Sequence, residues 1–270
     1  MPELPEVETT RRGIEPLVVG ATISEIVVRN PHLRWRVPRE LNRRAAGRRI
    51  ESVRRRGKYL VMHLGDGDLI VHLGMSGSLR YLPEQSAPRK HDHVDWIFAD
   101  GGTLRLSDPR RFGCLLHTAD ADRHPLLRAL GPEPLSDAFD ADHLHATSRG
   151  RKTAIKQHIM NARIVVGVGN IYANEALHRA GIHPLRAAGR VGKPRIAALV
   201  GAIKTVLLEA IEQGGTTLRD FVGSDGQPGY FRTSLHAYER AGEPCAGCGS
   251  SIRRVVSGQR ATYYCPTCQR

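Results

Sequence analysis

From about residue 22 to residue 107 the chain alternates short β-branched runs with turn signals. Thr22–Val28, Tyr59–Met62, Leu69–Leu73 and Val94–Phe98 are apolar-rich stretches, punctuated by Gly-Asp-Gly-Asp at 65–68 and Asp-Gly-Gly at 100–102. Runs of this length between such turns read as strands, so this half is predicted to be β-rich and to form a sandwich. The stretch Leu130-Gly131-Pro132-Glu133-Pro134-Leu135 then breaks the pattern like an interdomain connection. Helical periodicity follows it. Ile196, Leu199, Val200, Ile203, Val206, Leu207 and Ala210 mark one face of an amphipathic helix, with Pro194 in its first turn and Gly214 just past its end. The last 30 residues have too few large apolar side chains to hold a core unaided, and need a staple.

That staple is visible in the cysteines. Four of the five fall within the last 26 residues, as Cys245-x2-Cys248 and Cys265-x2-Cys268 with sixteen residues between the pairs. Two thiolate pairs on tight turns complete a tetrahedral zinc site, and four thiolates close the coordination sphere, so one structural Zn2+ is expected. Two disulfides or four free thiols are the bland alternatives. Between the pairs, Ile252–Val256 and Arg260–Tyr264 read as two strands joined at Ser257-Gly258, a β-hairpin finger with Arg260 near its tip. Cys114, far from the others, reads as a small core residue.

Charge adds a partner. Forty Lys plus Arg against 27 Asp plus Glu give a formal charge of +13, while 40% hydrophobic and 25% charged residues form an ordinary globular mixture. Disorder throughout is excluded, and a polyanion, nucleic acid foremost, is the expected partner. The first fifteen residues hold four Glu and no apolar leader, and eighteen apolar residues never run together. A cytoplasmic protein without a membrane span is therefore expected.

The N-terminus adds chemistry. Pro2 follows the initiator Met, whose removal would leave proline with a free secondary amine. An α-amino group has a pKa of about 7.7–8.0, so roughly a tenth is neutral and nucleophilic at pH 7. Attack on an anomeric carbon would expel a base and leave an iminium, whose electron demand labilises the proton on the next sugar carbon. Glu3 offers a carboxyl group for proton transfer, and Glu6 a second one turn on if a helix starts here. Prolines and glutamates are also simply favoured in any first helical turn.

Taken together, Met1-Pro2-Glu3-Leu4-Pro5-Glu6-Val7-Glu8-Thr9, His72-Leu73-Gly74-Met75-Ser76-Gly77, Asp108-Pro109-Arg110-Arg111-Phe112-Gly113, Gly167-Val168-Gly169-Asn170-Ile171-Tyr172 and the four-cysteine tail resemble the bacterial formamidopyrimidine-DNA glycosylases. Lys58-Tyr59-Leu60, Lys90-His91-Asp92-His93 and Ser224-Asp225-Gly226-Gln227-Pro228-Gly229-Tyr230-Phe231 fall between them in family order. The resemblance implies an α+β fold: an N-terminal β-sandwich (1–132) bearing the catalytic N-terminal helix, a helix-two-turn-helix domain with the damaged-base loop (133–234), and a β-hairpin zinc finger (235–270). It implies a glycosylase and abasic-site lyase that acts as a monomer near the nucleoid, excising 8-oxoguanine and formamidopyrimidines from duplex DNA by β,δ-elimination. Pro2 would be the Schiff-base nucleophile, Glu3 the general acid/base, Lys58 an aid to β-elimination, and Arg260 the grip on phosphate for the last step. Met75, Arg110 and Phe112 would fill the space left by the extruded nucleotide. His91, Arg110, Arg151 and Asn170 would contact DNA, and residues 224–231 would cover the flipped base. The endonuclease VIII branch, which acts on oxidised pyrimidines, shares Pro2 and Glu3 but departs from Leu4 through Thr9. A zinc-dependent DNA-binding protein without chemistry would need neither Pro2 nor Glu3.

Overall fold

The computed structural model describes residues 2–215 and 235–270. The chain divides into two compact units, one holding the residues up to Arg128 with 213–215, the other Ala129–Glu212 with 235–270. The boundary after Arg128 lies just ahead of the Pro-Gly stretch at 130–135.

The first unit opens with α1 (Leu4–Val18), followed by eight strands: β1 (Ile23–Val28), β2 (Ser52–Arg56), β3 (Tyr59–His63), β4 (Asp68–His72), β5 (Ser78–Leu82), β6 (Asp92–Phe98), β7 (Thr103–Ser107) and β8 (Cys114–Thr118). Short helices α2 (Leu41–Ala45) and α3 (Pro125–Arg128) complete it. The strands form two four-stranded antiparallel sheets, ordered β1-β6-β7-β5 and β2-β3-β4-β8. Trp96, Phe98 and Leu104 of one sheet and Leu60, Val71 and Leu115 of the other share a core with Val7, Ile14 and Val18 of α1. The helix thus packs on both sheets through β2, β3 and β5. Cys114 is fully buried, as the sequence suggested, and burial pushes its thiol up to about 12.

Four strands escape the apolar pattern. β2 is Ser-Val-Arg-Arg-Arg, which sequence alone reads as a solvated basic run. Arg55 is instead largely buried and paired with Glu8 at 3.1 Å, while Arg54 pairs with Asp122 at 2.9 Å at the surface. In β6 and β7 a cross-strand ion pair joins Asp95 to Arg105 at 2.8 Å, both almost fully buried, with Arg29 on the same carboxylate.

The second unit contains α4 (Ala141–Ser148), α5 (Ile155–Ile159), α6 (Asn170–Arg179), α7 (Lys193–Glu212) and the hairpin β9 (Arg253–Ser257) and β10 (Arg260–Tyr264). The buried face of α7 contains the seven residues of the sequence stripe, and Gly214 follows its end with φ +74°. Helices α4 and α6 pack on α7, and α6 also packs on β10. Ala237, Cys245, Ile252, Tyr263 and Cys265 form the small separate cluster under the hairpin. Among the described residues no helix is long and apolar enough to cross a membrane.

Candidate active site, interlocked loops and candidate zinc centre

Helix α1 begins two residues after Pro2, at Leu4, and Glu3 is its N-cap. Glu3 and Glu6 form a reciprocal capping box, with the Glu3 N–H donating to Glu6 Oε2 at 2.8 Å. Pro2 is buried, and Glu3 and Glu6 are 2% and 0% exposed. Such a box fixes the first turn of α1, directly after Pro2. Gly215, at φ +81°, backs this turn so closely that a Cβ there would lie 3.0 Å from Glu6 Oε1.

Lys58 stands in the turn between β2 and β3, after Gly57 at φ +59°. The Arg55 guanidinium holds that turn by donating to the Gly57 carbonyl at 3.0 Å, and also pairs with Glu8 of α1. The Lys58 turn is thereby fastened to the N-terminal helix. Burial would raise the Glu8 carboxyl, but hydrogen bonds from Arg11 and Arg12, with the charges of Arg11 and Arg55, hold it below its ordinary value.

A second fastening runs through His72 at the end of β4. Burial, with the charges of Lys58 and Arg34, pushes its pKa down to about 4, so the ring is neutral at pH 7. Its Nδ1 accepts the Gly74 N–H at 2.9 Å and shapes the turn that carries Met75. Gly74 has φ +68°, and a Cβ on it would fall 2.4 Å from Gly113 N and 2.5 Å from Phe112 C. The Met75 turn therefore lies directly on the Arg110–Gly113 loop. Asp108, fully buried, accepts the Gly113 N–H at 2.7 Å through Oδ2, and Arg111 takes the left-handed φ of +56° that the loop requires. Arg110 lies over the Phe112 ring at 5.1 Å, while Phe112 and Met75 are 45% and 37% exposed. Apolar patterning alone would have assigned both to the core.

Asp108 also reaches His91. Its N–H donates to the His91 carbonyl at 3.0 Å, and its own carbonyl lies 2.9 Å from His93 Nε2. The structure thus brings Met75, His91, Arg110 and Phe112 onto one set of interlocked loops in the first unit.

In the second unit, Arg151 is exposed in the connection from α4 to α5, its N–H on Ser148 O at 3.0 Å. Asn170 is the first residue of α6. The N-cap is Gly169, in extended conformation. Freed from capping, the Asn170 amide donates to the Ala261 carbonyl of β10 at 3.1 Å. Arg260 opens β10 opposite Ser257, exposed beyond a two-residue turn in which Gly258 and Gln259 both have positive φ. The tip is docked on α5 by Gln157, whose amide donates to Ser257 Oγ at 3.0 Å.

Sequence reading missed the side chains that hold this hairpin. Lys156, 2% exposed, donates to Ala261 O at 2.9 Å and Thr262 Oγ1 at 2.7 Å. Asn174, fully buried, donates to Asn170 O at 2.6 Å and accepts the Tyr263 N–H at 2.8 Å. Glu175 accepts three backbone N–H groups, from His236, Ala237 and Tyr238. Asn170 and Asn174, one helical turn apart on a largely buried helix, were the available signal. Residues 224–231 lie outside the described residues.

Cys245, Cys248, Cys265 and Cys268 bring their sulfurs within 4.8 Å of one another. The Cys245–Cys268 and Cys248–Cys265 separations are 4.0 and 3.4 Å, which bracket the edge of about 3.8 Å that a tetrahedron with Zn–S of about 2.3 Å requires. Hydrogen bonds from Ser250 pull the Cys248 thiol down to about 6, while the neighbouring sulfurs of Cys248 and Cys265 push Cys268 up to about 12.

Three family models match in order along the chain: the formamidopyrimidine-DNA glycosylase N-terminal domain over residues 1–115, the formamidopyrimidine-DNA glycosylase H2TH domain over 130–222, and the zinc finger found in FPG and IleRS over 242–270. The formamidopyrimidine-DNA glycosylase of Methylococcus capsulatus is 60% identical over 271 residues, covering 100% of both chains. The chain belongs to the formamidopyrimidine-DNA glycosylase family. That of Magnetococcus marinus is 57% identical, again over 100% of both chains. Among solved structures, the MutM (Fpg) protein of Thermus thermophilus matches at TM-score 0.90 and 42% identity, over 99% of this chain and 98% of that one. A Lactococcus lactis Fpg mutant in complex with Fapy-dG-containing DNA matches at 0.92 and 34%, over 100% of both.

The formamidopyrimidine-DNA glycosylase fold is therefore the predicted α+β fold of sandwich, helical region and hairpin finger. Its zinc-finger domain is present, and the four cysteines could hold one zinc ion. Their S4 donor set suits a closed structural site.

Proposed function

We propose that this formamidopyrimidine-DNA glycosylase removes oxidised purines from duplex DNA in base excision repair and then cleaves the strand as a lyase, with Pro2 as its nucleophile. The observation that carries the reading is the Pro2-Glu3 pair held at the buried start of α1 in a chain matched end to end by this family. The substrate class rests on solved relatives whose DNA contains Fapy-dG, an abasic site or carbocyclic 8-oxo-G. Residues 1–132 carry the chemistry, 133–234 and 235–270 the remaining grip on DNA. Such a substrate puts the enzyme's work on the chromosome in the cytoplasm.

In this reading the Pro2 nitrogen lone pair forms a bond to C1′, and the damaged base departs with the glycosidic electron pair and a proton. Glu3 protonates O4′ as the sugar ring opens, which leaves an iminium between C1′ and Pro2. The iminium accepts the electrons released when the C2′ proton is removed, and the C3′–O bond to phosphate breaks, with Lys58 assisting. A second elimination breaks the C5′–O bond, with Arg260 on the phosphate. Met75 and Phe112 occupy the stack vacated by the extruded nucleotide and Arg110 meets the orphaned base, which offsets the few kcal/mol of lost pairing and stacking. His91, Arg151 and Asn170 hold the phosphate backbone. Zinc held by Cys245, Cys248, Cys265 and Cys268 would be structural, fixing the hairpin that carries Arg260.

Borohydride added to the enzyme and a duplex with one 8-oxoguanine opposite cytosine should trap a covalent adduct that peptide mapping places on Pro2. Pro2→Gly should slow excision roughly a hundredfold or more while duplex affinity holds. Wild-type excision by that variant would remove Pro2 from the mechanism, and an adduct only on oxidised pyrimidines would move the substrate class to that of endonuclease VIII.

A further inference from the structure

The two buried sulfurs of the zinc centre face the same physical demand. A zinc-bound thiolate carries negative charge, and away from water that charge needs hydrogen-bond donors from the protein. Cys265, fully buried, receives one from the backbone: the Cys268 N–H lies 3.4 Å from its Sγ. Cys245 is 2% exposed, and a side chain approaches it instead. His178 Nε2, from the last turn of α6, lies 3.4 Å from Cys245 Sγ.

The His178 ring is held from two directions. Its backbone is part of α6, whose Asn174 and Glu175 are bonded to β10 and to residues 236–238. Its ring stacks on His236 with centroids 6.2 Å apart and planes 3° from parallel. Because Glu175 accepts the His236 N–H at 2.8 Å, the stacking partner is itself fixed to the same helix. A metal-bound thiolate has only lone pairs to offer, so the ring must be the tautomer with its proton on Nε2.

We propose that His178 is an outer-shell positioning residue of the zinc centre, whose Nε2–H donates to the Cys245 thiolate and slows loss of the metal. The inference rests on the zinc reading of the four cysteines. It makes α6 one body with the metal site: the helix that begins at Asn170 ends on a zinc ligand.

The test uses the intact protein. Zinc content is measured first, and zinc release is then followed with a chromogenic chelator. His178→Phe keeps an aromatic ring to stack on His236 but removes the donor, and should release zinc on the order of tenfold faster, at the lower end of the 10–100-fold effects of outer-shell loss. His178→Gln, which restores an N–H, should recover part of that difference, and His236→Phe, which leaves the donor in place, should match wild type. With Co2+ in place of zinc, His178→Phe should shift the thiolate-to-cobalt charge-transfer band, which a packing defect alone would leave in position. Wild-type release and an unshifted cobalt band in a folded His178→Phe protein holding one zinc would overturn the proposal and leave the zinc reading intact. A wild-type protein without zinc would overturn both.

Discussion

Gly74 shows how one residue governs the interlocked loops that carry Met75 and Phe112. Its φ of +68° costs an L side chain about 1–2 kcal/mol, and a Cβ would also press on the Gly113 and Phe112 backbone at 2.4–2.5 Å. Backbone atoms already fixed by Asp108 have no cheap way to move. Gly74→Ala should therefore lose at least about 2 kcal/mol in denaturant unfolding and lose excision even at temperatures where it remains folded, because Met75 and Phe112 are displaced together. Gly47 is the control: its φ is +79° with nothing within 4 Å of the added carbon. Gly47→Ala should show the strain cost of about 1–2 kcal/mol with normal excision. Equal losses of excision in the two variants would show that the contact between the two loops is immaterial to the wedge.

At the scale of elements, the β6–β7 ladder stabilises more than the sheet. Arg105 chelates Asp95 with Nε and Nη2 at 2.8 Å each and sends further hydrogen bonds to Ser86 O at 2.8 Å and Ala87 O at 3.3 Å, in the segment that leads to His91. Burial alone would raise the Asp95 carboxyl, but hydrogen bonds from Arg105 and Arg29 outweigh it and hold the carboxyl below 3.8. A depressed folded-state pKa contributes stability that is present above the unfolded value and lost as pH falls through the lower folded value. Arg105→Met should cost about 3 kcal/mol near neutral pH, the lower end of the range for a broken buried pair, because Arg29 still faces Asp95. Its stability should then fall less steeply than wild type below pH 3.8, the ordinary Asp value. Superimposable pH profiles from denaturant titrations would show that Arg105 contributes nothing through Asp95.

The same ladder shows what could be read from the sequence. β1, β3, β4 and β6 announce themselves by apolar runs, and α7 by its stripe, because each buries a face against a continuous core. β7 hides its buried Arg105 behind a charge, and β2 hides behind three arginines, since a paired ion leaves no hydrophobic signature. The site divides along the same line. The cysteine pairs are legible because zinc dictates their spacing, whereas Lys156 and Glu175 act through contacts up to 106 residues apart that no local pattern records. Lys58 and Met75 became candidates only through resemblance, whereas Pro2 was also a candidate through the chemistry of its secondary amine.

For the whole molecule the deciding quantity is charge. A formal +13 attracts any polyanion, so affinity for DNA by itself says little about lesion recognition. Salt separates the two terms. Each phosphate neutralised releases counterions and adds about 0.9 to the slope of log affinity against log salt on duplex DNA. If the enzyme grips 6–10 phosphates, affinity should fall by about 10³–10⁵ between 50 and 200 mM salt, for damaged and undamaged duplex alike. In the proposed function Arg151, exposed in the second unit, is assigned to this term, so Arg151→Ala should weaken both duplexes equally and reduce the slope by about 1. Phe112, exposed and apolar in the first unit, is there assigned to the other. Phe112→Ala should leave the slope unchanged and narrow the preference for the damaged duplex, because a wedge acts only where a nucleotide can leave the stack. Fluorescence anisotropy of both variants on both duplexes over a salt series separates the assignments. A changed slope for Phe112→Ala, or a lesion-selective loss for Arg151→Ala, would exchange their roles and would move recognition from shape to charge.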